Sequence, residues 1–253
     1  MIYPEGQENE PMNYQRQQTP ALQGSYTSTP VEFLGVDRRA TFISRTYNHL
    51  FAAIIGFIAV EMFLFTSGLA EPIARTMLGG SWMIVLMLFM GLSWLATRTA
   101  TQSKSLKHQY LALGGFVVGE AIIFVPLLYL AQSYAGGGVI ESAAVVTLMG
   151  SAALTAIVFW TRKDFSFLGA ILRWVGILAV VAIFAALLFG FQLGTWFSVA
   201  MIGMAGAAIL YDTSNVLHHY PEDRYVAAAL TLFASIALMF WYVLQLFMGS
   251  SRD

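Results

Sequence analysis

The sequence predicts an all-α membrane protein: a bundle of seven transmembrane helices behind a polar, disordered N-terminal tail. Three observations predict it. Of the 253 residues, 58% are hydrophobic and only 11% are charged, with a mean hydropathy of +0.68, whereas soluble domains carry about 25% charged residues. The apolar residues gather in seven long runs. The basic residues fall almost entirely in alternate connections between those runs.

The tail comes first. Residues 1–45 are mostly polar, rich in Gln, Pro, Ser, Thr and Asn, and are too poor in apolar surface to fold alone. No signal peptide precedes the first apolar run, so that helix is expected to act as its own uncleaved targeting signal. Residues 46–253 are read as one transmembrane domain. Its spans fall at about 46–69, 79–99, 109–132, 139–161, 167–190, 195–217 and 226–248. A bilayer core about 30 Å thick needs about 20 helical residues, so each run suffices. Glu71-Pro72, Gly136-Gly137-Gly138 and Tyr220-Pro221-Glu222-Asp223 read as turns between them. The connections are short, so neighbouring helices run antiparallel. Pro126 is expected to kink the third span, and Gly115-x-x-x-Gly119 to let a neighbouring helix approach closely.

Orientation follows from charge. With the N-terminus inside, the inner regions hold Arg16, Arg38, Arg39, Arg45, Arg98, Lys104, Lys107, Arg162, Lys163, Arg173 and Arg224; the outer regions hold only Arg75 and Arg252. Such asymmetry sets topology. It places the N-terminus in the cytoplasm and Ser251-Arg252-Asp253 outside. Trp82 and Trp196 at outer ends and Trp160 at an inner end read as interface anchors. The last run carries Thr231, Ser235 and Gln245, and the alternative is six spans with an interfacial last helix.

The composition also excludes. A net charge of -1 argues against nucleic acid as a partner, and the absence of cysteine removes disulfides and thiolate chemistry. A retinal protein needs a lysine in the last span, and there is none. A rhomboid-type protease needs a serine and a histidine within the spans, and only His49 comes near one. An intramembrane aspartyl protease needs two aspartates, and the seventh span has none. No enzymatic activity, cofactor or metal is expected; the adjacent His218-His219 point in different directions and suit a solvated loop better than a metal.

Ionisable groups inside spans are costly and mark function by default. Three stand out: Glu61 in the first, Glu120 in the third and Asp212 in the sixth. Ser198, Ala205 and Asp212 share one stripe of the sixth helix; Thr231, Ser235, Tyr242 and Gln245 share a face of the seventh. A short turn joins the two helices and would bring these faces together. The stripe serves either as a polar, titratable interior or as interhelical hydrogen bonding that holds the bundle. Arg98, at a similar depth, either pairs with Asp212 or snorkels to the interface.

Three stretches together resemble the Bax inhibitor superfamily, and specifically its bacterial YccA-like branch. They are Thr161-Arg162-Lys163-Asp164-Phe165-Ser166-Phe167-Leu168-Gly169, then Tyr211-Asp212-Thr213-Ser214-Asn215 within the sixth span, then Ala229-Leu230-Thr231-Leu232-Phe233 opening the last. The resemblance implies a seven-helix bundle of the Bax inhibitor type with a central last helix, and a place in the bacterial inner membrane. It makes Arg162, Lys163, Asp164, Tyr211 and Thr213 family-motif residues. It implies two functions: modulation of the membrane quality-control protease FtsH, and a pH-sensitive calcium leak governed by two aspartates. Asp212 matches the first aspartate, and Ser235 stands where the second would be. The resemblance therefore favours protease modulation, with Asp212, Ser235, Arg98, Glu61 and Glu120 kept as candidates for pH sensing or an ion pathway.

Overall fold

The computed structural model describes residues 29–80, 82–103, 105–134 and 138–250. Eight α-helices follow one another: α1 (Val36–Thr66), α2 (Ala70–Gly79), α3 (Trp82–Gln102), α4 (Leu106–Tyr134), α5 (Val139–Thr161), α6 (Leu168–Phe189), α7 (Gly194–His218) and α8 (Tyr225–Ser250). Seven of them, all but α2, are long and apolar enough to cross a membrane. The six-span alternative falls, because α8 is the most buried span of all.

Burial grades the helices by position. Within their most apolar stretches α8 is 67% buried and α4 61%, against 11% for α3 and 6% for α6. The helix α8 touches α1, α3, α4, α5 and α7, while α6 leans on α7. The start of α8 explains how it enters the centre: Val226, Ala227, Ala228 and Ala229 are all fully buried, and small side chains let several helices close around one. Phe124 of α4 packs between Phe57, Phe240 and Trp241, with ring centroids 5.0–5.5 Å apart. Large apolar residues such as Leu88, Met149, Trp160, Trp174, Phe189 and Trp196 stay on the outside, as a lipid-facing surface requires.

Three expectations change. The first span begins at Val36, ten residues ahead of its expected start at 46, so the end of the polar stretch is helical. Its charged residues, among them Arg38, Arg39 and Arg45, extend the helix beyond the apolar run that hydropathy detects. Glu71-Pro72 is the first turn of the short helix α2 rather than a breaker; proline is tolerated there because a first-turn N–H has no intrahelical partner. Trp82 turns inward, its ring stacked 6.5 Å from that of Trp241. In the glycine pair, only Gly119 sits at a close approach: a methyl there would lie 2.2 Å from Leu92 of α3, whereas Gly115 has open space around it. Pro126 lies inside α4. The tail up to residue 28, Arg16, Lys104, Gly136, Gly137 and Ser251–Asp253 lie outside the described residues.

One end of the bundle is laced together. Arg38 of α1 pairs with Glu222 in the turn between α7 and α8. Arg224 donates to the Ser103 carbonyl between α3 and α4, and Gln109 Nε2 reaches the same carbonyl at 3.0 Å. The segment ahead of α1 folds over this end as a strap. Pro30 bridges to Pro221, the Val31 amide donates to the Tyr220 carbonyl at 3.0 Å, and the Val31 side chain is fully buried.

Candidate functional site

Along α7, Ser198, Met201, Ala205, Ile209, Asp212 and Val216 are all buried. Their three- and four-residue spacing makes one continuous face, and that face lies against α8. The two polar stripes meet at two places, and the turn that joins the helices adds a third contact. Ser198 Oγ donates to Gln245 Oε1 at 3.5 Å, Ser235 Oγ donates to Asp212 Oδ2 at 2.6 Å, and Tyr220 Oη lies 3.1 Å from Thr231 Oγ1. Thr231 itself donates to the Ala228 carbonyl, so the Tyr220 hydroxyl is the donor to Thr231.

The middle contact is the most enclosed. Asp212 is 8% exposed and Ser235 9%. Asp212 lies six residues before the end of α7 at His218, about 9 Å along the axis at 1.5 Å per residue. Tyr47 of α1 lies beside it, its buried hydroxyl close to those of Thr213 and Thr155. Above it, burial and the neighbouring Asp212 push the Tyr220 phenol up from its ordinary range. Val31 caps this stack through its bond to the Tyr220 carbonyl.

A second cluster ties the loop after α5 to the end of α7. Arg162 ends α5 in the left-handed region, with φ 50°, and the chain then presents Asp164. The Asp164 carboxylate accepts from the Ser166 amide at 2.8 Å, the Ser214 hydroxyl at 3.3 Å and His219 Nε2 at 3.0 Å. Slight burial works against its charge, yet the Ser166 donors and His219 hold it below the usual carboxylate range. Ser214 Oγ also accepts from the Phe165 amide at 2.8 Å. Ser, His and Asp meet here without a serine-nucleophile geometry, because Ser214 bonds the carboxylate and not the imidazole. Hydrogen bonds therefore position Asp164, whereas Tyr211 is positioned by packing. A methyl on Gly169 would lie 2.8 Å from the Tyr211 ring, so that glycine lets α6 close on α7.

The remaining candidates lie apart. Arg98 is exposed. Its Nε donates to Gln102 at 3.2 Å, and its guanidinium stands 5.0 Å from the Trp94 ring centre. It does not pair with Asp212, because α3 packs on α4 and α8 and carries Arg98 on its outer face. Glu120 is 6% exposed and lines a cavity of about 670 Å³ between α3, α6 and α7, with α8 behind it. Glu61 of α1 is buried and lines a smaller cavity shared with α4, α5 and α8. Among the described residues, no three His, Asp or Glu side chains gather as metal ligands. His218 is not a free loop residue, since its Nδ1 lies 3.0 Å from the Ser214 carbonyl. Tyr47 was not expected here, Tyr220 was expected only as a turn residue, Ser214 only as part of a motif, and His219 only in a solvated loop; their contacts join different elements of the fold.

A family profile described as inhibitor of apoptosis-promoting Bax1 matches residues 39–253. The chain belongs to the Bax inhibitor family. Its relatives span two kingdoms. Protein LIFEGUARD 4 of Arabidopsis thaliana is 31% identical over 235 residues, 88% of this chain and 91% of that one. The modulator of FtsH protease YccA of Escherichia coli K12 is 32% identical over 168 residues, 64% of this chain and 73% of that one. This Bax inhibitor family protein is a multi-pass membrane protein by its seven apolar helices. Its strap at residues 29–35 precedes the stretch that the family profile matches.

Proposed function

We propose that this protein is a non-enzymatic inner-membrane protein that binds and modulates an FtsH-type protease from its cytoplasmic end. One observation carries the reading. The polar tail leads directly into the strap, where Val31 is buried beneath the Tyr220 backbone, and then into α1, which packs on α4 and α8, the two most buried spans. A processive protease that engages the tail pulls first on the strap and then on the centre of the bundle. A 31-residue helix wedged there resists extraction, so the protein occupies the protease as a poor substrate. The relative named as a modulator of FtsH protease supports the choice of partner. The basic end faces the cytoplasm in this reading, where the ATPase of such a protease works.

A pH-sensitive calcium or cation leak is the second reading, and the Asp212–Ser235 contact favours it. An ionised carboxylate in a bundle interior attracts a cation, and its protonated form does not. Ser235 supplies no second charge, so the reading ranks below protease modulation.

Affinity purification from native membranes in mild detergent, with pulse-chase of an unstable membrane substrate, tests the first reading. Co-purified protease and a longer substrate half-life on overproduction are expected; no association and unchanged half-lives overturn it.

A further inference from the structure

Glu61 sits inside α1, 7% exposed, and neither of its carboxyl oxygens has a hydrogen-bond partner among the described residues. Thr147 of α5 is 2% exposed, and its hydroxyl also lacks a partner among the described residues. Thr46 and Thr213 share that lack among the described residues, whereas the exposed Thr41, Thr66, Thr76, Thr101 and Thr161 all return their hydroxyls to the carbonyl four residues earlier. Buried polar groups are nearly always paired, and an orphaned one asks for a ligand. Glu61 and Thr147 line the same chamber of about 220 Å³, enclosed by α1, α4, α5 and α8.

The chamber has apolar walls, among them Phe57, Leu128 and Phe240. Its rim is open to lipid, for Ile58, Met62 and Leu148 on that rim are 44%, 62% and 45% exposed. We propose that this chamber is a lipid-accessible binding site for a membrane-partitioned primary amine, with the ammonium head between Glu61 and Thr147 and its alkyl chain against the aromatic walls. The chemistry selects that class. An ionised carboxylate only accepts hydrogen bonds and a threonine hydroxyl accepts one readily, so the site offers acceptors to a head with several donors. An ammonium has three; an alcohol has one. A divalent cation wants six or more oxygens, and Glu61 and Thr147 together supply three. The volume falls below the roughly 300–1,000 Å³ of drug-sized pockets, which suits a single alkyl chain. The site is independent of the protease reading, since it lies away from the strap and the Asp212 contact.

The test uses the full chain in phosphatidylcholine nanodiscs with a photoreactive dodecylamine carrying a mid-chain diazirine. Adducts mapped by mass spectrometry are expected at Phe57, Leu128 and Phe240. Glu61→Gln is expected to reduce them about tenfold or more, and Thr147→Val by a smaller factor, as for hydrogen bonds to a charged group. Ile58→Trp, which blocks the rim and leaves Glu61 in place, is expected to reduce them as well, so a folding defect in one variant does not decide the matter. Unlabelled dodecylamine should compete and dodecanol should not. Adducts spread over lipid-facing residues such as Leu88 and Met149, equal labelling in Glu61→Gln and Ile58→Trp, or equal competition by the alcohol would each overturn the proposal.

Discussion

Ser235 of α8 donates a 2.6 Å hydrogen bond to the Asp212 carboxylate of α7, and both side chains are buried where the two helices cross the bundle interior. The contact joins residues 23 positions apart. It is the only hydrogen bond found for the Asp212 side chain among the described residues.

Removing that donor leaves a buried carboxyl group unsatisfied. Ser235→Ala is expected to destabilise the bundle by about 1–3 kcal/mol, read as a lower unfolding midpoint in detergent. The unmodified protein in liposomes is expected to show weak calcium flux, because Ser235 supplies no second charge beside Asp212. Ser235→Asp is expected to create or sharpen pH dependence, because two close carboxylates couple. Asp212→Asn is expected to abolish whatever flux exists. A strong calcium leak in the unmodified protein, lost in Asp212→Asn, would make the leak the primary function.

The strap should matter to turnover. Val31→Ala removes two buried methyl groups, at about 0.8 kcal/mol each, and is expected to loosen the strap by about 1.5 kcal/mol. Faster hydrogen exchange at the Val31 amide reports the loosening. If the strap holds the tail against pulling, Val31→Ala and Arg38→Glu shorten the protein's own half-life in cells that contain the protease. Unchanged half-lives beside faster exchange would separate the strap from proteolysis.

Acid should release the loop after α5. The Asp164 carboxylate is held below its ordinary range in the folded protein. Its contribution is therefore fully present above the unfolded value of about 4 and is lost as pH falls through the lower folded value. Exchange at the Ser166 amide is expected to stay slow at neutral pH and to accelerate beyond the intrinsic trend below about pH 4. Asp164→Asn removes the charge facing His219 and is expected to accelerate it at neutral pH as well.

Topology is the simplest check. A reporter fused after Asp253 should read as extracytoplasmic, and one fused to the tail as cytoplasmic, because Arg38, Arg39, Arg45, Arg98, Lys107, Arg162, Lys163, Arg173 and Arg224 lie at or near one and the same end of the bundle, the end that basic residues mark as cytoplasmic. A cytoplasmic C-terminus would refute this orientation.

The number and approximate positions of the spans were legible in the residues alone. A helix crosses lipid because its own backbone is satisfied internally and its own side chains are apolar, and both are local properties of a run of about 20 residues. The Ser198–Ala205–Asp212 stripe was legible for the same reason, since helical spacing places side chains without any neighbour. Which carboxylate would find a partner was not. Lipid is as apolar as leucine, so helices in a membrane choose one another by close packing and by hydrogen bonds, and hydropathy does not record either. Only the folded bundle decided that Asp212 meets Ser235 and not Arg98, that Glu61 and Thr147 face one chamber without partners, and that Trp82 turns inward onto Trp241. The helical course of residues 36–45 was likewise a tertiary outcome. That polar stretch carries no apolar run, and it gains its partners, Glu222 beside Arg38 and Phe42 in the core, only once the turn between α7 and α8 is in place.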